Sequence, residues 1–141
     1  MKKTMLIFST MMIIFLTGCG ILNGSEDANL RGTSWELVSY AGKLPLDGKI
    51  MTANFEGAEV SGSTSCNHYF GGYKVKNDQI SIEGLGWTEM ACMDPEGIME
   101  QEQVIMSLLS KSDTFTLQGN RLEIKTTTGE SLIFEMSEVD E

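Results

Sequence analysis

Proline is scarce, with two in 141 residues, so the chain has no proline-rich extended linker. Histidine is scarcer still: His68 stands alone, which removes any His-x-x-x-His metal motif. Cysteine occurs three times, without the dense Cys-x-x-Cys spacing of a zinc cluster. Basic residues number 10 against 20 acidic, a net charge of −10. Such a surface repels phosphate backbones and anionic headgroups, so nucleic acid is not an expected partner. No nucleophile elbow, phosphate loop or paired acid–base motif occurs. No apolar run reaches the ~20 residues that a membrane-spanning helix needs.

What is present is ordinary globular material, 41% hydrophobic and 21% charged, with fifteen glycines to supply turns. The first stretch is different. Lys2 and Lys3 precede the apolar run Met5–Leu16, interrupted only by Ser9 and Thr10. As a helix that run is about 18 Å long, short of the ~30 Å hydrocarbon core, so it reads as the centre of a signal peptide and not as a stable span. Leu16-Thr17-Gly18-Cys19 follows and resembles the lipobox of bacterial lipoproteins. In those proteins the cysteine thiol receives a diacylglycerol and becomes the acylated first residue. Cys19 is therefore the expected lipidation site, with residues 1–18 as signal peptide. Each buried methylene contributes about 0.8 kcal/mol, so two or three acyl chains anchor where one would not. Residues 19–31 read as lipidated cysteine and polar tether, 32–136 as one domain and 137–141 as an acidic tail. The expected location is the cell envelope, lipid-anchored to a membrane with the domain outside the cytoplasm. Gly20 stands where Asp commonly marks inner-membrane retention, which leans toward outer-membrane sorting.

From Ser34 onward the apolar period is close to two. Trp35, Leu37 and Ser39 alternate within Ser34–Tyr40, and Met51, Ala53 and Phe55 within Ile50–Glu56. Further strands are expected at Ala58–Ser63, Gly72–Lys76, Gln79–Glu83, Leu85–Met90, Thr114–Gln118, Arg121–Thr126 and Ser131–Met136. The joins are turn-like: Asp47-Gly48, Glu56-Gly57, Asn77-Asp78, Gly84, Gly119-Asn120 and Thr128-Gly129. One segment has helical period. Asp94 is its expected N-cap, with Pro95 at the first helical position and Glu96 near the positive end of the dipole. Ile98, Val104, Ile105, Leu108 and Leu109 gather on one face with Met99 and Met106 beside it, leaving Glu100, Glu102 and Lys111 in solvent. The fold class is α+β, mainly β: a curved antiparallel sheet, a partial barrel of about eight strands, packed around one amphipathic helix that fills its interior.

The run Val60-Ser-Gly-Ser-Thr-Ser-Cys-Asn-His-Tyr-Phe-Gly-Gly-Tyr73 resembles the signature of the META/HslJ domain family. Trp87-Thr-Glu-Met-Ala-Cys92 is similar to its second motif, and Gly32-Thr-Ser-Trp-Glu-Leu-Val-Ser-Tyr40 to its first strand. The chain departs at Ser65, where many members carry glycine. The resemblance covers about Leu30 to Met136. It implies a small β-rich fold with one helix, often borne by a bacterial lipoprotein and associated with envelope stress, heat shock and drug tolerance. It carries no established catalytic activity, so no enzyme and no cofactor are expected.

With Cys19 acylated, Cys66 and Cys92 form an even pair in an exported protein, which favours a disulfide. Closing a loop of about 25 residues contributes about 3–4 kcal/mol on chain entropy. Two sharper alternatives stand beside it. Cys66, His68, Cys92, Met90, Met93 and Asp94 hold soft and borderline ligands suited to Cu(I) or zinc, although oxidation would remove both thiolates. Cys66 with His68, or Cys92 near a helix start, could serve as a thiol nucleophile. Asn67, Tyr69, Tyr73, Met90 and Met93 are the candidate binding surface. The competing reading has Gly71-Gly72 reversing the chain while the tyrosines cover the sheet. Trp35, Trp87 and most of Met90, Met93, Met99 and Met106 are expected to pack in the core. The function expected from all this is a membrane-anchored, non-enzymatic envelope lipoprotein with a protein partner and a stress-related role. The alternative is a carrier of a small apolar ligand or metal.

Overall fold

The computed structural model describes residues 30–46 and 48–137. The leader, the Cys19 anchor, most of the tether, Asp47 and the end of the acidic tail lie outside the described residues. Eight strands follow in order: β1 Thr33–Tyr40, β2 Thr52–Glu56, β3 Glu59–Ser63, β4 His68–Lys76, β5 Gln79–Trp87, β6 Ser112–Gln118, β7 Arg121–Thr126 and β8 Ser131–Met136. A single described helix, α1 Ile98–Ser110, lies between β5 and β6. Every strand pairs antiparallel with its chain neighbours, and β8 returns to β1 through Leu37↔Phe134 and Tyr40↔Leu132. The expected partial barrel is thus a closed one.

Closure follows from alternation. Trp35, Met51, Ala53, Phe55, Leu122, Ile124, Leu132 and Phe134 all point inward and are fully buried. An eight-strand barrel is only wide enough inside for such side chains, so no room remains for a helix. α1 therefore lies across one mouth, contrary to its expected place in the interior. It sends Ile105, Met106, Leu108 and Leu109 into the same core cluster. Alternation also breaks once in β1. A bulge after Leu37 turns Tyr40 inward, where Ser39 was expected.

In an antiparallel ring the connections alternate between the two mouths. The β1–β2, β3–β4, β5–α1–β6 and β7–β8 connections share the mouth that α1 covers. Leu46 N–H donates to Gln101 Oε1 at 2.8 Å across it, and Thr127 N–H to the Lys111 carbonyl at 3.0 Å. The described chain enters at the opposite mouth, where Gly32 N–H meets the Phe55 carbonyl at 2.6 Å. The barrel wall is weakest at β5–β6, joined by the single register pair Gln79↔Thr114. Beyond that pair the two strands part, and α1 packs against β5 and β8.

Three expected boundaries change. Gly84 ends no strand: at φ +63° it forms a bulge within one continuous β5, opposite the shift between Phe70 and Gly72. Gly71 and Gly72 do not reverse the chain but lie inside β4, which starts at His68. The helix starts at Ile98 and not at Asp94. The Asp94–Pro95 peptide is cis, and Gly97 holds the N-cap position at φ +89° with no side-chain cap.

Ser65 adopts φ +78° in the β3–β4 loop, a left-handed backbone that favours glycine. Its hydroxyl donates to the Ile50 carbonyl at 2.9 Å. Ser65→Gly and Ser65→Ala both lose that bond, but only glycine relieves the backbone. In urea denaturation Ser65→Gly is expected to be about 1 kcal/mol more stable than Ser65→Ala. Equal stabilities would contradict the strained loop.

Candidate functional site

The polar centre of the helix-capped mouth is Asn67, which is 1% exposed. Its side-chain amide pairs with the Met90 peptide as a neighbouring strand would. Oδ1 accepts from Met90 N–H at 2.8 Å, and Nδ2 donates to the Met90 carbonyl at 3.1 Å. Oδ1 also accepts from the Thr88 hydroxyl at 2.8 Å. The second Nδ2 proton goes to Glu102 Oε1 at 2.8 Å. Around Glu102 Oε2 stand the Thr64 hydroxyl and, at 3.2 Å, the Asn67 backbone N–H. One side chain thereby ties the β3–β4 loop, the irregular link after β5, and α1.

Glu102 was expected in solvent but is 3% exposed. It sits at the spacing Ile98, Glu102, Ile105, Leu109, one side of the helix, so it rides on the apolar stripe. Its described donors are all neutral. Val104, expected on that stripe, points away and is 38% exposed. Gln101 is buried next to the stripe; its Oε1 accepts from Leu46, while Nε2 has no partner. Thr64, Thr88, Gln101 and Glu102 are absent from the sequence-based candidates. The heptad spacing of Glu102 is the signal that could have found it.

Cys66 and Cys92 are joined, with their Cα atoms 6.0 Å apart. The bridge fastens the same link that Asn67 holds, and Cys92 N–H donates to Met99 Sδ at 3.4 Å. A bridged pair offers neither a thiolate nucleophile nor a soft metal ligand. Among the described residues no three His, Cys, Asp or Glu side chains converge as a metal site. The His68 side chain is exposed, and its backbone N–H donates to the Thr88 hydroxyl at 3.1 Å.

The candidate binding surface divides. Met90 and Met93 are exposed, at 53% and 88%, on the rim of this mouth. Asn67 and Tyr69 are corrections, because both are buried. Asn67 is consumed by the network above. Tyr69 points into the barrel, where its hydroxyl donates to the Thr52 carbonyl at 2.9 Å, and burial pushes its ionisation well above the usual phenol range. Tyr73 is half-buried, edge-on to Phe55 with centroids 4.9 Å apart. Desolvation raises its pKa and Arg31 partly opposes that. Trp35 is core as expected, whereas Trp87 is 47% exposed. Where β5 leaves β6, Trp87 and Leu85 face α1 across a groove of about 470 Å³, also lined by Glu102 and Met106.

This closed antiparallel barrel with one helix across its mouth recurs in known proteins, and a model of the META domain matches residues 28–139. The chain belongs to the META domain family. It is 31% identical to the heat shock protein HslJ of Escherichia coli K12 over 67 residues, 48% of this chain and 46% of that protein. The match thus spans about half the length of that relative. An NMR structure of a protein from Burkholderia xenovorans superposes with a TM-score of 0.66 at 27% identity, covering 78% of this chain and 85% of that one. A crystal structure of a DUF4847 family protein from Bacteroides vulgatus shares the fold alone, with 11% identity and a TM-score of 0.59 over 79% and 96% of the two chains.

The META motif residues now have physical roles in this chain. Gly62 is obligatory, since a Cβ there would lie 1.9 Å from the Thr52 carbonyl oxygen that Tyr69 binds. Cys66 and Asn67 fasten the link, and Thr88 with Met90 receive it. The META domain is not a known enzyme family, and the Asn67, Thr64, Thr88 and Glu102 side chains of this mouth bond one another. Asn67→Ala strands the Met90 N–H and carbonyl and removes the side-chain donor from Glu102 Oε1, leaving from residue 67 only the backbone N–H on Oε2. Each buried group left unpaired costs about 1–3 kcal/mol, so the variant is expected to lose about 3 kcal/mol. Thr88→Val, which removes the bond to Asn67 Oδ1 and the acceptor of the exposed His68 backbone N–H, is expected to lose about 1–2 kcal/mol. Chemical denaturation reads both, and a loss below ~1 kcal/mol for Asn67→Ala would contradict the role given to it.

Proposed function

We propose that this META protein is a lipid-anchored, non-enzymatic component of the cell envelope that presents its helix-capped mouth to a protein partner. Lys2, Lys3, the apolar run and Leu16-Thr-Gly-Cys19 support the anchor. The observation that carries the reading is the polarity of the barrel. The described chain enters at the mouth opposite Asn67, the disulfide and the exposed Trp87, Met90 and Met93. A tether to the membrane then leaves that apolar rim facing away from the bilayer, free to meet another protein. The similarity to a heat shock protein supports a stress-related role. A second reading, a carrier of a small ligand, is favoured by the groove beside Trp87.

Two measurements test the first reading. Cys19→Ala is expected to move the protein from the membrane fraction to the soluble fraction. A photocrosslinking residue at Met93 is expected to capture one dominant envelope protein, while the same residue at Asp78, on the other mouth, captures none. Unchanged fractionation, or equal capture from both mouths, would overturn it.

A further inference from the structure

We propose that the groove between α1 and the end of β5 binds a small organic cation, a protonated amine or quaternary ammonium carried on an aromatic or apolar body. The walls set the body. Leu85, Trp87 and Met106 give an apolar slot of about 470 Å³, the size of a small ligand. The charge follows from three independent features of the same lining. Glu102 contributes a carboxylate whose described donors, the Thr64 hydroxyl and two N–H groups of Asn67, are all neutral, so no countercharge is supplied by them. A buried carboxylate without a cation gains most from one that arrives with the ligand. Ser107 and Ser110 belong to the last turn of α1, the negative end of the helix dipole, and that turn carries no basic residue. Lys111, just beyond the helix, is exposed and closes the Leu108 and Leu109 carbonyls with its backbone N–H. Trp87 presents a half-exposed indole, the ring with the strongest attraction for a cation. An anion of the same shape meets opposition from all three.

The site belongs to the folded barrel and does not depend on the anchor or on a protein partner. The test uses the membrane-extracted protein, as the cell processes it, in a nonionic amphipol, with its two tryptophans replaced biosynthetically by 5-fluorotryptophan. Trp35, fully buried, is the internal reference for Trp87. Benzyltriethylammonium is expected to shift the Trp87 fluorine signal saturably and leave Trp35 in place. Phenylmethanesulfonate, the anionic counterpart, is expected to bind at least about tenfold more weakly. Ser110→Lys, at an exposed position, places an ammonium at the helix end and is expected to weaken the cation about tenfold with the Trp35 signal unmoved. A silent Trp87, equal response to both probes, or a Ser110→Lys variant that binds the cation as before would overturn the proposal.

Discussion

A carboxylate inside an apolar mouth persists only when fixed donors surround it, and Asn67 is the residue that fixes them. Its amide has two N–H groups and one oxygen, and all are engaged: with Glu102, with the Met90 carbonyl, and with Met90 N–H and Thr88. Without it, Glu102 and the Met90 peptide would lose bonds that water cannot replace in a buried site. The disulfide from the adjacent Cys66 acts on the same link, so covalent and polar fastenings reinforce one another. The remaining architecture of this end follows from that pairing. The helix can lie across the mouth because the loop beneath it and the link leading into it are both held.

The placement has a consequence for the barrel wall. Since α1 occupies the space beside the end of β5, the β5–β6 pairing stops at Gln79↔Thr114 and the strands separate. The vacated side of β5 becomes a groove wall, and Trp87 becomes a surface residue. Elsewhere the ring is continuous and its interior closed by aromatics. Distinctive chemistry is therefore concentrated at one end, while the other end consists of short turns and the chain entry.

The sequence made the regular parts legible. Leu122 with Ile124 and Leu132 with Phe134 alternate cleanly, and β7 and β8 have the expected limits. The first half of β4, ahead of the expected start at Gly72, is hidden because His68 and Gly71 do not read as strand residues. Gly71 is there for close approach: a Cβ on it would meet Leu85 at 3.0 Å. Gly84 has the appearance of a turn but serves as a bulge, a distinction set by the partner strand and not by local preference. Asn67 and Glu102 were read as surface residues because polarity alone carries no information about mutual satisfaction. Only the position of Glu102 between Ile98 and Ile105 marks it as inward-facing. Trp87 was assigned to the core by its type, and tertiary structure overrides that where the barrel opens.

The most direct measurement of the central pairing is native-state hydrogen exchange at the Met90 amide, which sits in an irregular link with no strand partner. If Asn67 holds it as described, this amide exchanges only with global opening of the barrel, at the rate of core strand amides such as that of Ile124. Exchange of Met90 at the rate of an unprotected loop, while Ile124 remains protected, would contradict the account.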